Sequence, residues 1–235
     1  MRNHEKGRFI MMKRTKARLK INQILTGKKT NLRVVGCLLF REWSEKDKCF
    51  YYWEEWEITG LADYDTWVEY DHSDEVVSLY EPIRFTRSID PQQLEKGQSF
   101  TLSEQDGTDH VVVVDEVGVG EIVNIKGKNT YQVFPKEMMA YATLRDSKAP
   151  KGRQLITIEK YNNREYDAYR KVKLDAKEQK RIFGRTITPI NWWMIIFIVF
   201  IATAVIFTFL DNSSSDGHGG GARGVYGGSS GGFGK

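Results

Sequence analysis

The chain has 235 residues, with 35 Lys and Arg against 31 Asp and Glu, for a formal net charge of +4. That length allows one ordinary domain plus appendages. Its two cysteines, Cys37 and Cys49, exclude a disulfide framework and supply only half the ligands of a structural zinc site. Two reduced thiols, no metal and no cofactor are therefore expected.

Residues 1–29 carry ten basic side chains (Arg2, Lys6, Arg8, Lys13, Arg14, Lys16, Arg18, Lys20, Lys28 and Lys29) against Glu5 alone. A basic arm of this kind suits nucleic acid or an anionic membrane surface. Lipid is the more economical partner because an apolar anchor follows later in the chain, and nucleic acid is disfavoured. Translation from Met1 or from Met11 or Met12 is left open.

Residues 30–172 read as a β-rich soluble domain. Apolar and β-branched runs at 33–40, 66–70, 76–80 and 111–114 suggest short strands. Residues 50–58 alternate, with Phe50, Tyr52, Trp56 and Ile58 on one side and Tyr51, Trp53, Glu55 and Glu57 on the other. Residues 121–125 and 130–134 are expected to form a hairpin around Lys126-Gly127-Lys128-Asn129, and 138–144 a brief helical turn. The runs at 155–160 and 165–172 complete the domain as a final pair. Short strands at this spacing imply an antiparallel sandwich or a barrel-like domain.

Residues 173–190 form a basic juxtamembrane segment. Asp175 with Glu178 three residues later is a capping box, Gly184 suits the helix exit, and Pro189 ends the segment. Lys177, Lys180, Arg181 and Arg185 are candidates for contact with anionic lipid headgroups, as are Trp192 and Trp193. The predicted transmembrane helix is 191–210. From Trp192 to Leu210 no residue is charged, and this stretch would span about 28 Å as a helix, close to a bilayer's hydrocarbon thickness. Excess Lys and Arg before it predicts a single-pass cell-membrane protein, its N-terminal domain cytoplasmic and its C-terminal tail extracytoplasmic. Residues 211–235 are rich in Gly and Ser and read as a flexible tail.

Chemistry is harder to find. Trp53, Glu55, Trp56, Glu57, Trp67 and Glu69 are the candidate ligand-binding residues, because carboxylates edged by indole rings suit a cation. Glu54 and Glu55 must point to opposite faces of one strand, whereas Glu55 and Glu57 share a face that Glu69 joins if its strand is adjacent. Outside the Gly/Ser tail there is no Gly-x-Ser-x-Gly elbow, and Gly118-Val119-Gly120 lacks the spacing of a phosphate-binding loop. His4 and His218 fall in the arms, His72 in a turn, and His110 reads as a structural histidine beside Asp109. No catalytic residue is assigned.

Gly27, Arg33-Val34-Val35-Gly36, Tyr52-Trp53-Glu54-Glu55-Trp56, Trp67-Val68-Glu69-Tyr70 and Gly120-Glu121 resemble the bacterial family called domain of unknown function 4178. The resemblance extends loosely through Ile158-Glu159 to Tyr166 and Tyr169, and so covers about residues 25–175. At Asp71-His72-Ser73-Asp74 the chain departs from the family's more typical glycine turn. The resemblance implies a β-rich domain without an assigned activity, in a setting of bacterial membrane stress or maintenance. The leading expectation is a membrane-anchored binding or scaffold module for a protein partner or a small cationic ligand. An enzyme acting on a cationic, polyamine-like or membrane-associated substrate is the alternative, and a structural subunit of a membrane assembly is a third reading.

Overall fold

Antiparallel strands dominate the structure, a computed structural model that describes residues 14–27, 32–62, 66–130, 132–161, 166–189 and 196–206. The strands are β1 (Ile24–Leu25), β2 (Leu32–Ser44), β3 (Cys49–Thr59), β4 (Thr66–Asp71), β5 (Val77–Pro82), β6 (Ser99–Ser103), β7 (Asp109–Gly127), β8 (Met138–Asp146), β9 (Leu155–Tyr161) and β10 (Asp167–Lys173). A short helix, α1 (Ala176–Phe183), follows them. The hydrogen-bonded order runs β2-β3-β4-β5-β10-β9-β8-β7, and β7 pairs back onto β2. Eight strands thus close a barrel, which settles the choice between sandwich and barrel. β1 lies beside the start of β2, and β6 pairs with the first part of β7. β7 is long because it serves two neighbours in turn, β6 through Asp109–Val113 and β2 through Glu121–Gly127.

Closure divides each strand's residues between an outer wall and a lumen. Two separate coverings bury the outer wall. The extended segment around Ala17 and Leu19, together with Ile182 and Phe183 of α1, packs on Val34, Trp56, Ile58 and Val68. The chain between β5 and β6 lays Ile83, Phe85 and Ile89 over Val112, Leu144, Ile156 and Ile158. Each covering is pinned by a buried polar cluster. Glu54, wholly buried on the outer face, accepts hydrogen bonds from the Trp56 indole (2.7 Å) and from the backbone N–H groups of Lys16 and Ala17. His72 Nε2 lies 2.6 Å from the same carboxylate. On the second covering, His110 sits between Asp146 (2.7 Å) and Glu104 (2.6 Å).

α1 begins with the expected capping box at Asp175 and Glu178 and ends on Gly184 in the left-handed region, φ 75°. Gln179 bonds to the carbonyl of Leu174 and to the N–H of Ile187, each at 3.0 Å. Ile187 in turn accepts from the N–H of Arg18 at 2.7 Å. The N-terminal strap, α1 and the segment leading to Pro189 are therefore joined. A Cβ at Gly27 would strike the Ile182 carbonyl and one at Gly184 the Thr26 carbonyl, so both positions require glycine.

Three expectations change. Residues 138–144 are strand, not a helical turn: Met139, Tyr141 and Thr143 face inward while Ala140, Ala142 and Leu144 face outward, and pairing with β7 and β9 outweighs the helix propensity of Met, Ala and Leu. Among the described residues of 130–134 there is no strand that pairs with 121–125. Lys128 and Thr130 instead bond across one end of the barrel, to the Val35 carbonyl and to Glu57. The separate runs at 111–114 and 121–125 are one strand, β7. Cys37 is buried and Cys49 exposed, both as free thiols.

The chain divides into two units, residues 1–189 and 190–235. In the second, residues 196–206 are helical and exposed throughout, and Thr203 Oγ1 bonds back to the Val199 and Phe200 carbonyls at 3.0 and 2.8 Å. Among the described residues no helix is long and apolar enough to cross a membrane. Trp192, Trp193, Leu210 and the Gly/Ser tail lie outside the described residues.

Removing the Glu54 carboxylate strands the Trp56 indole, two backbone N–H groups and His72 in a dry site. Glu54→Ala should therefore cost about 3 kcal/mol of unfolding free energy. Urea unfolding of the two proteins checks this, and a loss below about 0.5 kcal/mol, within the range of ordinary surface substitutions, would show that Glu54 does not pin the strap.

Candidate functional site

The lumen is polar at one end. Alternation places Glu42 of β2, Trp53 and Glu55 of β3, Glu69 of β4, Tyr80 of β5, Lys171 of β10, Glu159 of β9 and Tyr141 of β8 on the inner wall. Together they line a cavity of about 360 Å³, within the usual range for a small-ligand site. Its rim is formed by Tyr51, Asp71, Ser73, Asp74 and Glu116, of which Tyr51, Ser73, Asp74 and Glu116 are exposed. The other end is covered where Thr130 bonds through its N–H (2.9 Å) and its hydroxyl to Glu57.

Aromatic rings build one side of the cavity. Phe40 and Trp53 are cross-strand partners, stacked at 5.0 Å with planes 6° apart, and Tyr141 meets Trp53 edge-on at 5.8 Å. Gly118 and Gly120 make room for them: a Cβ on either would enter the Tyr141 or the Trp53 ring. The Gly118-Val119-Gly120 run is thus a thinned wall behind two aromatic side chains. Tyr141's hydroxyl lies 2.5 Å from Glu42 and 3.1 Å from Glu116.

Charge builds the other side. Glu55 and Glu69 are direct register partners on β3 and β4. Glu69 accepts from Lys171 Nζ and from the Tyr80 hydroxyl, both at 2.6 Å, and the Lys171 ammonium stands 5.4 Å above the Tyr80 ring. Glu55 accepts from the Trp53 indole at 2.9 Å. Glu159, 4% exposed, is approached only by neutral hydroxyl donors, Thr157 at a long 3.5 Å and Tyr80, among the described residues.

Seven carboxylates and one ammonium line the cavity, so burial and mutual repulsion favour neutral acids. Burial, and then the charge of Glu159, holds the Glu55 carboxyl well above the usual range, against the opposing Trp53 bond. Burial likewise pushes Glu159 up to about 8 despite the nearby Lys171. Burial alone would lower Lys171, but the Glu69 charge and hydrogen bond outweigh it and its pKa is raised. Lys171 is thus held charged beside Glu69, while the Glu55–Glu159 pair retains a proton at neutral pH. Such a chamber can receive a cation, or can lend and recover a proton near neutrality.

Of the six residues singled out in the sequence, Trp53, Glu55 and Glu69 line this cavity together. Glu57 and Trp67 lie across the β3–β4 ladder from each other on the same inward face, toward the end tied by Thr130. Trp56 faces outward and donates to Glu54, so it belongs to the wall beneath the strap and not to the cavity. Glu42, Tyr80, Tyr141, Glu159 and Lys171 went unidentified. Their signal was a polar residue at each inward position of strands that only closure brings face to face. Lys177, Lys180 and Arg181 are exposed on α1, and Arg185 is half-buried beyond it. No metal-binding cluster is found among the described residues. No family model, curated protein or solved structure matches the chain.

The protonated Glu159 carries a pH signature. Unfolded, this carboxyl ionises near its ordinary value of 4.5, and folded it is pushed up to about 8. The folded state therefore binds the extra proton between those values, so Glu159's contribution to stability falls as pH rises through that window and levels off above it. Glu159→Gln keeps the neutral shape and should be the more stable protein at pH 8, by about 2 kcal/mol, with little difference at pH 4. Chemical denaturation at the two pH values tests the sign, and a variant destabilised equally at both would overturn it.

Proposed function

We propose that this chain is a membrane-tethered β-barrel module that binds a small organic cation in its lumen. The observation that carries this reading is the cavity itself, where aromatic walls and an excess of buried carboxylates meet around one internal ammonium. Cations gain from both, by Coulomb attraction in a low-dielectric site and by contact with ring faces. A partner protein's exposed basic side chain carries the same chemistry, so the scaffold role and the small-ligand role share one chamber.

The tether rests on the uncharged run from Trp192 to Leu210 and on the basic surface that precedes it. Arg14, Lys16, Arg18 and Lys20 are exposed at alternate positions of the N-terminal strap, with Ala17 and Leu19 buried between them. The Arg18–Ile187 hydrogen bond brings this comb alongside the end of α1, which exposes Lys177, Lys180 and Arg181. Together they form one basic face suited to anionic headgroups, each cation contributing about 1 kcal/mol near such a surface. Positive charge before the anchor supports a cytoplasmic barrel and an extracytoplasmic tail. The resemblance noted above suggests membrane maintenance as the setting.

A second reading has one specific support. Glu159, titrating at about 8, is poised to carry a proton, as the acid or base of an enzyme acting on a cationic substrate would be.

Titration of the detergent-solubilised full chain with n-alkylammonium ions, followed by Trp53 fluorescence and calorimetry, tests the binding reading. Saturable binding should appear that an alcohol of the same length does not reproduce, and Glu55→Gln should weaken it about tenfold. Equal binding of the alcohol would remove the cation as the recognised feature. Turnover of the bound amine would favour the enzyme. For the tether, the protein should resist carbonate extraction and yield to detergent, with external protease trimming only the tail. Release by carbonate would end the membrane reading.

A further inference from the structure

Lys171 shows how this lumen holds an ammonium group. Its Nζ lies 2.6 Å from Glu69 and 5.4 Å above the Tyr80 ring, so carboxylate and ring face act on it together. The same arrangement is repeated without its cation a short way across the cavity. Glu159 is 96% buried, lines the space, and is approached only by hydroxyls, Thr157 at a long 3.5 Å and Tyr80, which it shares with Glu69. Glu55 is 97% buried, with its Oε1 taken by Trp53. The rings of Trp53 and Tyr141 stand beside them.

We propose that the lumen binds a primary alkylammonium ion between Glu55 and Glu159, and that the ion enters in exchange for the proton those two carboxyls hold. This rests on the reading of the lumen as a cation-binding chamber. In the exchange one carboxyl O–H bond breaks and its proton leaves to solvent. The ligand's N–H groups then donate to the carboxylate oxygens, and the charge of the lumen is unchanged. An ammonium with N–H donors fits because the Glu55 and Glu159 oxygens meet only neutral donors and keep acceptor capacity to spare. A quaternary ion would satisfy their charge and leave those bonds unmade.

The surrounding charges leave the exchanged proton to this pair. Glu69 is neutralised by Lys171 and held by Tyr80, on β4, β10 and β5. Glu42 of β2 and Glu116 of β7 face the Tyr141 hydroxyl of β8. Asp167 of β10 pairs in register with Glu159, and its charge reinforces the tendency of Glu159 to stay neutral. Repulsion between Glu55 and Glu159 favours one proton between them until a cation arrives. Competition between proton and ligand makes binding tighten as pH rises, and the gain stops once the folded carboxyl is ionised, at about 8.

The experiment is calorimetric titration of the full chain in nanodiscs with n-butylammonium, in two buffers of different ionisation enthalpy. At pH 7 nearly one proton should be released per ligand, and Kd should fall about tenfold per pH unit up to about 8, then level off. Tetramethylammonium should bind at least about tenfold more weakly. Glu159→Gln should abolish the pH slope, with folding verified by circular dichroism, and Glu55→Gln serves if that variant does not fold. Binding of n-butylammonium with no proton release and no pH slope overturns the exchange while leaving the chamber's cation preference intact. Equal affinity for tetramethylammonium overturns the primary-ammonium assignment. Absence of binding by either ion at pH 9 removes the binding reading itself.

Discussion

The pairing of β2 with the second half of β7 is the constraint on which the molecule depends. Leu38 faces Ile125 and Leu39 faces Asn124 across this seam, and without it the sheet would be an open ribbon with two bare edges. Closing it fixes an inside. Every alternate residue from eight strands is then committed to one narrow chamber, whatever its chemistry. Apolar residues such as Leu38, Phe40, Ile122 and Met139 fill part of that space, so the carboxylates that share it lose most of their water.

That loss makes the lumen unusual. An interior of this size is ordinarily packed with apolar side chains, and carboxylates within it are costly unless paired. Here Glu69 has Lys171, whereas Glu55 and Glu159 have only neutral donors. A proton retained on that pair relieves part of this cost. On the outer face the same problem is handled differently. Glu54 is met by four N–H groups, and His110 is set between two carboxylates. The outer charges hold coverings in place, and the inner ones stand beside open space.

Much of this pattern was legible in the residues before any coordinates. The alternation at 50–58 assigned Glu55 and Glu57 to one face and Glu54 to the other, and the register bears it out. The capping box at Asp175 and Glu178 was visible because its signal is local. Non-local features were not. Met138–Asp146 has a composition a helix would accept, and only the strands on either side of it decide otherwise. Lys171 and Glu159 look like surface residues of a final strand pair until β5 closes against β10. Trp56 was grouped with the inward indoles on composition, although its position two residues from Glu54 already put it on the opposite face.

The junction of the strap with the segment after α1 has a mechanical side. A pull transmitted along the chain from beyond Pro189 meets the Arg18–Ile187 bond and the Gln179–Ile187 bond before it reaches α1. Glycines at 27 and 184 seat the strap against the helix end closely enough that the two would yield together. Through the strap the load reaches the buried Glu54 cluster on the outer wall. Force applied from that side would thus be shared between helix, strap and outer wall, none of them yielding alone.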